Sequence, residues 1–367
     1  MIFLDNNATT KILPEVIEAM LLDLDGIPRN PSSVTFLGRE AKQKIIEARR
    51  FIANYFGLLP DEVYFTSGGT ESNYMLIQGF QKRKQGPIIS TQIEHASALE
   101  ALRPFKPLYL KVCEKGSPDP KELEDLLNRV TPSFVMLSGA NTETGVLLPL
   151  DEIASLCNAH STPLVIDGVG LLGKVSCKNL PKGVSAISFS GHKFHGPKGI
   201  GLAIIRKEFK IPPLFKGGHQ ERGMRAGTEN LPAILGITKA LSLIDETAFL
   251  KMETLRNYFE TLLLKEIPTI EINGQNPRLP NTSNIYFKGI SAETLLIKLD
   301  SLKLIASLGS ACSSGTLEPS HVLLNMGYPK ERALSSLRFS LSRFTTKEEI
   351  EQSVKLIKNC YCLLTHL

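Results

Sequence analysis

The chain reads as an α/β protein: a mostly parallel sheet flanked by helices, with a smaller α+β domain beside it. Three observations predict this. Short β-branched or apolar runs alternate with helical patterns through the middle of the chain, as repeated strand–helix units do. The pattern changes after about residue 245. Finally, 367 residues of which 42% are hydrophobic supply enough apolar chain for one large core and a smaller companion. A large domain is therefore expected at 13–245, and a small one from 1–12 together with 246–367.

Residues 39–56 place apolar side chains at 45, 48, 52, 55 and 56 and are followed by Gly57, the pattern of an amphipathic helix with a glycine stop. EVYFT (62–66) reads as a strand, and SGGTESN after it turns into a helix. The next strands are PIIST, FVMLSGA, PLVIDGV, SAISFSG and IGLAIIR, the fourth ending at Phe189. Beyond 245 come a long helix, the strands IEIN and NTSNIYF, further helices, and a terminal helix over 347–363.

Composition narrows the function. Forty-two basic and 37 acidic residues are interspersed, and the basic runs are as short as Lys82-Arg83-Lys84, so nucleic acid is not an expected partner. MIFLDNNATT lacks the basic start of a signal peptide, and the chain has no apolar run long enough to span a bilayer. The six cysteines (113, 157, 177, 312, 360 and 362) show no zinc spacing, so no metal is expected. A cytoplasmic protein with free thiols is the expectation, with Cys360 and Cys362 filling core in the terminal helix. Cys312 is different, because SLGSACSSGT (307–316) surrounds it with glycine and serine.

In open α/β sheets ligands bind beyond the carboxyl ends of the strands. There SFSGHKFHGPKGIG (188–201) presents Ser190, His192 and Lys193 on a glycine-bounded turn, and PLVIDGV ends in Asp167. FTSGGTESN offers Gly68, Gly69 and Thr70 at a helix start, where backbone N–H groups favour phosphate. A lysine for an imine, an aspartate for a pyridinium and a helix start for a phosphate are the three handles of pyridoxal 5'-phosphate. His95, after the PIIST strand, either stacks on the cofactor ring or is simply a hydrogen-bonded histidine.

LDNNATT, NPSS, FTSGGTESN, EHASA, SFSGHKFHGPKGIG, ERGMRAGTEN, GSACSSG and SSLRFSLSRFTT stand in the order found in cysteine desulfurases of the nitrogen-fixation and iron–sulfur-cluster assembly type. The chain resembles these class V, fold-type I pyridoxal-phosphate enzymes from residue 3 to about residue 350. The resemblance implies that Lys193 is the Schiff-base lysine and Asp167 the partner of the ring nitrogen. It gives Gly69, Thr70, Ser190 and His192 to the phosphate, and Thr228 to the phosphate of a neighbouring subunit, hence a homodimer. It makes Arg338 the contact for the substrate α-carboxylate, a task suited to a planar charged fork. Cys312 falls on the nucleophile, with His95 as candidate base. The implied reaction takes L-cysteine to L-alanine, with Lys193 moving the Cα proton. A persulfide is left on Cys312 for an acceptor protein in cluster assembly or thiolation. A selenocysteine or cystine lyase, or a non-catalytic docking relative, are the alternatives on the same scaffold.

Three positions depart from the family pattern. Gly170 stands where a glutamine is usual, Thr142 where an asparagine contacts cofactor and substrate, and Thr35 where a histidine is usual.

Overall fold

In the computed structural model, residues 1–24, 26–275, 277–309 and 318–365 are described. After a two-residue strand β1 (Ile2–Phe3), the main sheet is built from β2 (Val63–Thr66), β3 (Ile88–Thr91), β4 (Leu108–Leu110), β5 (Phe134–Ser138), β6 (Leu164–Asp167), β7 (Val184–Ser190) and β8 (Gly201–Ile205). Their order is β2-β8-β7-β6-β5-β3-β4. Strand β8 runs antiparallel to β2 and β7, and the remaining pairs are parallel.

Helices cover both faces, which is why β3, β6, β7 and β8 are buried at every residue and read as continuous apolar runs. The helices in chain order are α1 (Pro14–Leu24), α2 (Phe36–Phe56), α3 (Gly69–Arg83), α4 (Ala96–Leu102), α5 (Pro120–Arg129), α6 (Leu150–Ala159) and α7 (Leu231–Ser242). Leu164 and Ile166 of β6 join a core with Ile52, Phe56 and Ile237. Val165 between them joins another with Met75, Leu76 and Phe80. The period of two in a strand sends neighbours to opposite faces.

The remaining chain forms α8 (Thr247–Glu266), β9 (Glu271–Ile272), β10 (Thr282–Tyr286), α9 (Ala292–Ser301), β11 (Leu304–Ile305), α10 (His321–Asn325), α11 (Lys330–Leu334), β12 (Ser336–Ser340) and α12 (Lys347–Thr365). Strand β10 lies antiparallel between β12 and β9, while β1 pairs with β11. Phe259, Phe287, Leu295, Phe339 and Ile357 make a separate core that also takes in Ile2 and Leu4. Cys360 is buried in that core as expected, and Cys362 only half-buried. None of the described helices is long and apolar enough to cross a membrane.

The structure corrects several boundaries. Helix α2 begins at Phe36, three residues earlier than its apolar period suggests, because the Thr35 hydroxyl caps it by accepting from Gly38 N at 3.3 Å. Glu62 is not strand: its buried carboxylate accepts from Leu59 N and Lys207 N, tying down a short turn ahead of β2. Strand β7 includes Ser190, which pairs with Gly201 of β8. Strand β4 escapes the sequence reading because it is a three-residue edge strand with two exposed side chains, so it shows no burial pattern.

The first residues act as a strap. Leu4 N and Ser340 N tie the chain to β11 and β12, then Thr10 N donates to His192 O at 2.9 Å and Leu13 N to His195 O. The strap thus runs from the small core directly over the turn bearing Lys193.

Candidate active site at the strand ends

Register brings the polar ends of the strands together. Ser138 of β5 pairs with Asp167 of β6, and Asp167 with Ser188 of β7. Asp167 is 5% exposed, and its carboxylate accepts from Asn73 Nδ2 at 2.8 Å and from Val169 N at 3.0 Å. Asn73, on α3, also accepts from Ser188 Oγ and donates to Ser97 Oγ at 3.0 Å. The Ser97 hydroxyl stands 2.8 Å from His95 Nδ1, which accepts the Ser97 N–H and so caps α4. With Nδ1 an acceptor, the neutral ring carries its proton on Nε2. Thus Asn73 links Asp167 to exposed His95, a connection invisible in the sequence.

Lys193 ends a short turn after β7, half-buried. Its Nζ donates to the Asn7 and Ala8 carbonyls of the strap at 2.5 and 3.0 Å. A second lysine, Lys174, is buried and donates to Lys193 O at 3.4 Å. Burial, reinforced by the Lys193 charge, pushes Lys174 down to about 7.

The anion end lies close by. Helix α3 starts at Gly69 with Gly68 as its cap and, among the described residues, no side-chain hydrogen bond to its first amides. The space a Cβ on Gly69 would need is taken by Val169 and, at 3.6 Å, by Ser190 Cβ. Ser190 is therefore packed on the helix start. His192 contacts Thr9 Oγ1 through Nδ1, and burial together with the Lys193 charge lowers it to about 4. It is a neutral ring at pH 7, able to donate one proton to an anion. Thr228 is exposed, and among the described residues it makes no hydrogen bond to this cluster. Of the sequence-predicted phosphate residues, Gly69 and Thr70 at the start of α3 and Ser190 and His192 at the end of β7 meet at the strand ends.

Arg338, at the centre of β12, is 3% exposed. Its Nη2 pairs with Asp5 at 2.6 Å, while Nη1 donates to Gly309 O at 3.2 Å and Thr142 O at 3.3 Å. Arg338 Nε is buried without a partner among the described residues. Asn7 joins the two halves: its carbonyl takes Lys193, and its side chain donates to Thr142 O and Thr282 Oγ1.

Two departures from the family pattern turn out to be neighbours. A Cβ on Gly170 would stand 2.8 Å from Thr142 Cγ2. The Thr142 methyl occupies the space that a side chain at 170 needs. Thr35, the third departure, serves as the α2 cap already described. Cys312 lies outside the described residues; Gly309 and Glu318 flank its segment.

Sequence reasoning missed Asp5, Asn7, Asn73 and two buried carboxylates. Glu94 sits between the Thr91 and Ser138 hydroxyls, both donating at 2.5 Å, and burial raises it to about 7. Glu143 is likewise buried and raised to about 7. The only available signal was their presence in polar motifs, LDNNATT, GGTESN, EHASA and NTETG. Nothing local distinguishes a buried carboxylate there from a solvated one.

This donor set suits a group that combines a phosphate, a basic ring nitrogen and an aldehyde. It offers an uncapped helix start beside a buried serine, a buried carboxylate, and a lysine on the adjoining turn. A family model for class-V aminotransferases matches residues 2–352. The chain belongs to the class-V aminotransferase family. Within it the chain is similar to a cysteine desulfurase of Trichormus azollae, 41% identical over 368 residues that cover 97% of this chain and 92% of the relative. A solved NifS-like protein matches with a TM-score of 0.89 and 33% identity, covering 100% of both chains. A structure described as SspA in complex with cysteine matches with a TM-score of 0.81 at 27% identity, covering 94% of this chain and 100% of that one. The family membership accounts for the motif order, and the fold agrees with it across the whole chain.

Proposed function

We propose that the protein is a pyridoxal-phosphate-dependent cysteine desulfurase, which converts L-cysteine to L-alanine and holds the released sulfur as a persulfide on Cys312. The observation that carries this is the joint placement of buried Asp167, Lys193 and the uncapped start of α3 at adjoining strand ends. When bound, pyridoxal phosphate supplies an electron-withdrawing ring that stabilises negative charge at the substrate Cα. Asp167, steadied by Asn73 and Val169, keeps the ring nitrogen protonated. Gly69, Thr70, Ser190 and His192 hold the phosphate, His95 covers the ring, and Thr142 lies on the substrate side. The Lys193 amine takes the Cα proton, for which the Asn7 and Ala8 carbonyls of the strap must release it. Arg338 binds the α-carboxylate of L-cysteine in place of Asp5.

The Cys312 thiolate then attacks the substrate sulfur. A sulfur–sulfur bond forms, the Cβ–sulfur bond breaks with its electron pair going to the carbon side, and protonation there gives alanine. Only the thiolate is competent, so His95 is the candidate base. The persulfide passes to an acceptor protein in iron–sulfur cluster assembly or thiolation.

Residues 13–245 serve as the cofactor domain, and 1–12 with 246–367 as the small domain. Thr228 reaches the phosphate of a second subunit, which fits its exposure in its own chain. Exposed Leu22, Leu24, Ile27, Val34 and Phe36, on α1, in the connection after it and at the start of α2, supply apolar area for that homodimer. Five described cysteines are free, which suits a reducing cytoplasm.

The test is alanine and sulfide release from L-cysteine with a reductant, run beside Cys312→Ser and Lys193→Ala. Both variants should lose alanine formation, and Lys193→Ala should also lose the visible absorption of bound cofactor. Retained alanine formation in Cys312→Ser would instead support a lyase. A protein that takes up no added cofactor would defeat both enzyme readings.

A further inference from the structure

The turn that carries Lys193 ends in a strained residue. Gly191–Lys193 form one short helical turn after β7, and the chain then passes through His195 at φ 69, a left-handed angle that side-chain-bearing residues avoid. Such a conformation persists only where its surroundings over-determine it. Here the surroundings are Thr10 and Lys11 of the strap.

Thr10 meets the turn on both sides of Lys193. Its hydroxyl donates to His192 O at 2.9 Å and accepts from His195 N at 2.7 Å. Its own N–H donates to His192 O as well, at 2.9 Å. Both capacities of the hydroxyl, donor and acceptor, are therefore used, and the two partners straddle the lysine in the chain. Lys11 O lies 2.8 Å from His195 Nδ1, and a carbonyl only accepts, so that nitrogen carries the ring proton.

The other end of the strap is set by the strand that bears Arg338. Leu4 N donates to Ile305 O of β11 at 2.9 Å. Asn6 N donates to Ser340 O and Asn7 N to Ser340 Oγ, two residues beyond Arg338 on β12. Between these anchors Asp5 pairs with Arg338 itself. One continuous stretch, Asp5 to Thr10, thus touches Arg338 at one end and both sides of Lys193 at the other.

We propose that Thr10 is a positioning residue for Lys193, its hydroxyl holding both sides of the lysine turn in a fixed place relative to β12 and so to Arg338. This rests on the reading of Lys193 as the base at the substrate Cα and of Arg338 as the carboxylate contact. The Cα proton is one bond removed from the carboxylate that Arg338 holds, so a turn that drifts from β12 carries the amine off the proton. Proton transfer needs heavy-atom reach of about 2.6–3.2 Å, and misplacement by about 1 Å costs about a hundredfold. The loss falls on the chemical step rather than on binding. Thr10→Val keeps the shape and removes the hydroxyl, whereas Thr10→Ser keeps the hydroxyl.

The first measurement is hydrogen–deuterium exchange in the cofactor-free protein, resolved to peptides within 188–201. Thr10→Val is expected to speed exchange at the His195 amide at least tenfold, because that N–H loses its acceptor, and Thr10→Ser to stay within threefold of the parent. The second is borohydride trapping of added pyridoxal phosphate on Lys193, expected to slow at least fivefold in Thr10→Val and to recover in Thr10→Ser. In turnover of L-cysteine, Thr10→Val should lower kcat at least tenfold with KM changed less than twofold. Unchanged exchange in Thr10→Val overturns the clamp. Faster exchange with kcat within twofold of the parent overturns the positioning role. Should the parent not turn over L-cysteine, the desulfurase reading fails by itself, and trapping at Lys193 decides the proposal in place of kcat. If Thr10→Val does not fold, Thr10→Ala is judged by the same readouts.

Discussion

At the scale of single residues, the Gly170–Thr142 contact shows how one side chain fixes what its neighbour can be. With the Thr142 methyl 2.8 Å from the Cβ position, Gly170→Ala must displace backbone-anchored packing beside Asp167. Overpacking of this kind costs about 1–3 kcal/mol. Gly170→Ala is therefore expected to lower stability by about that amount, and Thr142→Ser, which removes the methyl, to restore most of it. Urea unfolding of the two single variants and the double variant checks this; additive losses would show that the contact is not the cause. The residue types at both positions were plain in the sequence. Their contact was not, because Gly170 comes 28 positions after Thr142, beyond α6 and β6.

Among elements, the segment leading to Thr228 depends on a buried ion pair. Glu221 and Arg222 both adopt left-handed backbone angles, φ 46 and φ 57, which side-chain-bearing residues avoid. Glu221 is held by Arg49 of α2 through two bonds of 2.8 and 2.6 Å, and it also accepts from Phe65 N. Removing one member of a buried pair leaves the other uncompensated, at a cost of about 3–5 kcal/mol. Arg49→Met should destabilise by that order in urea unfolding, and Arg49→Met with Glu221→Leu should regain a large part. An unchanged midpoint in the single variant would show that other contacts hold the segment. Elements themselves were legible wherever burial imposed a period. The four fully buried strands and the 3.6-residue period of α2 were readable, whereas edge strand β4 and the capped start of α2 depend on pairing and on one hydroxyl.

For the whole molecule, buried titratable groups set a pH dependence in which opposite slopes compete. Burial lowers His192 and His195 to about 4 from 6.5. Unfolding takes up protons between those values, so their contribution falls as pH drops from about 6.5 to 4. Glu94 and Glu143, raised by burial to about 7 from 4.5, bind more protons when folded. Their contribution falls as pH rises from 4.5 to 7. The two effects oppose each other between pH 4.5 and 6.5. Replacing Glu94 and Glu143 together by glutamine removes one of them, so Tm of the cofactor-free variant should rise with pH across that window more steeply than that of the parent. Parallel melting profiles would refute the assignment. Above pH 7, Lys174 adds stability as pH rises toward 10.5, because its folded form is already losing its proton near 7.

By itself the sequence determined the fold class and the polar residue types that stand at the strand ends. Local physics writes each of these into the chain: a strand buried on both faces must be apolar, and polar side chains gather where it ends. Tertiary structure decided the connections. Asn73 between Asp167 and His95, the strap carbonyls on Lys193, and Glu143 against Gly309 all join residues distant in the chain. A polar residue's partner depends on which strands the sheet sets side by side, and no period or spacing in the sequence encodes that.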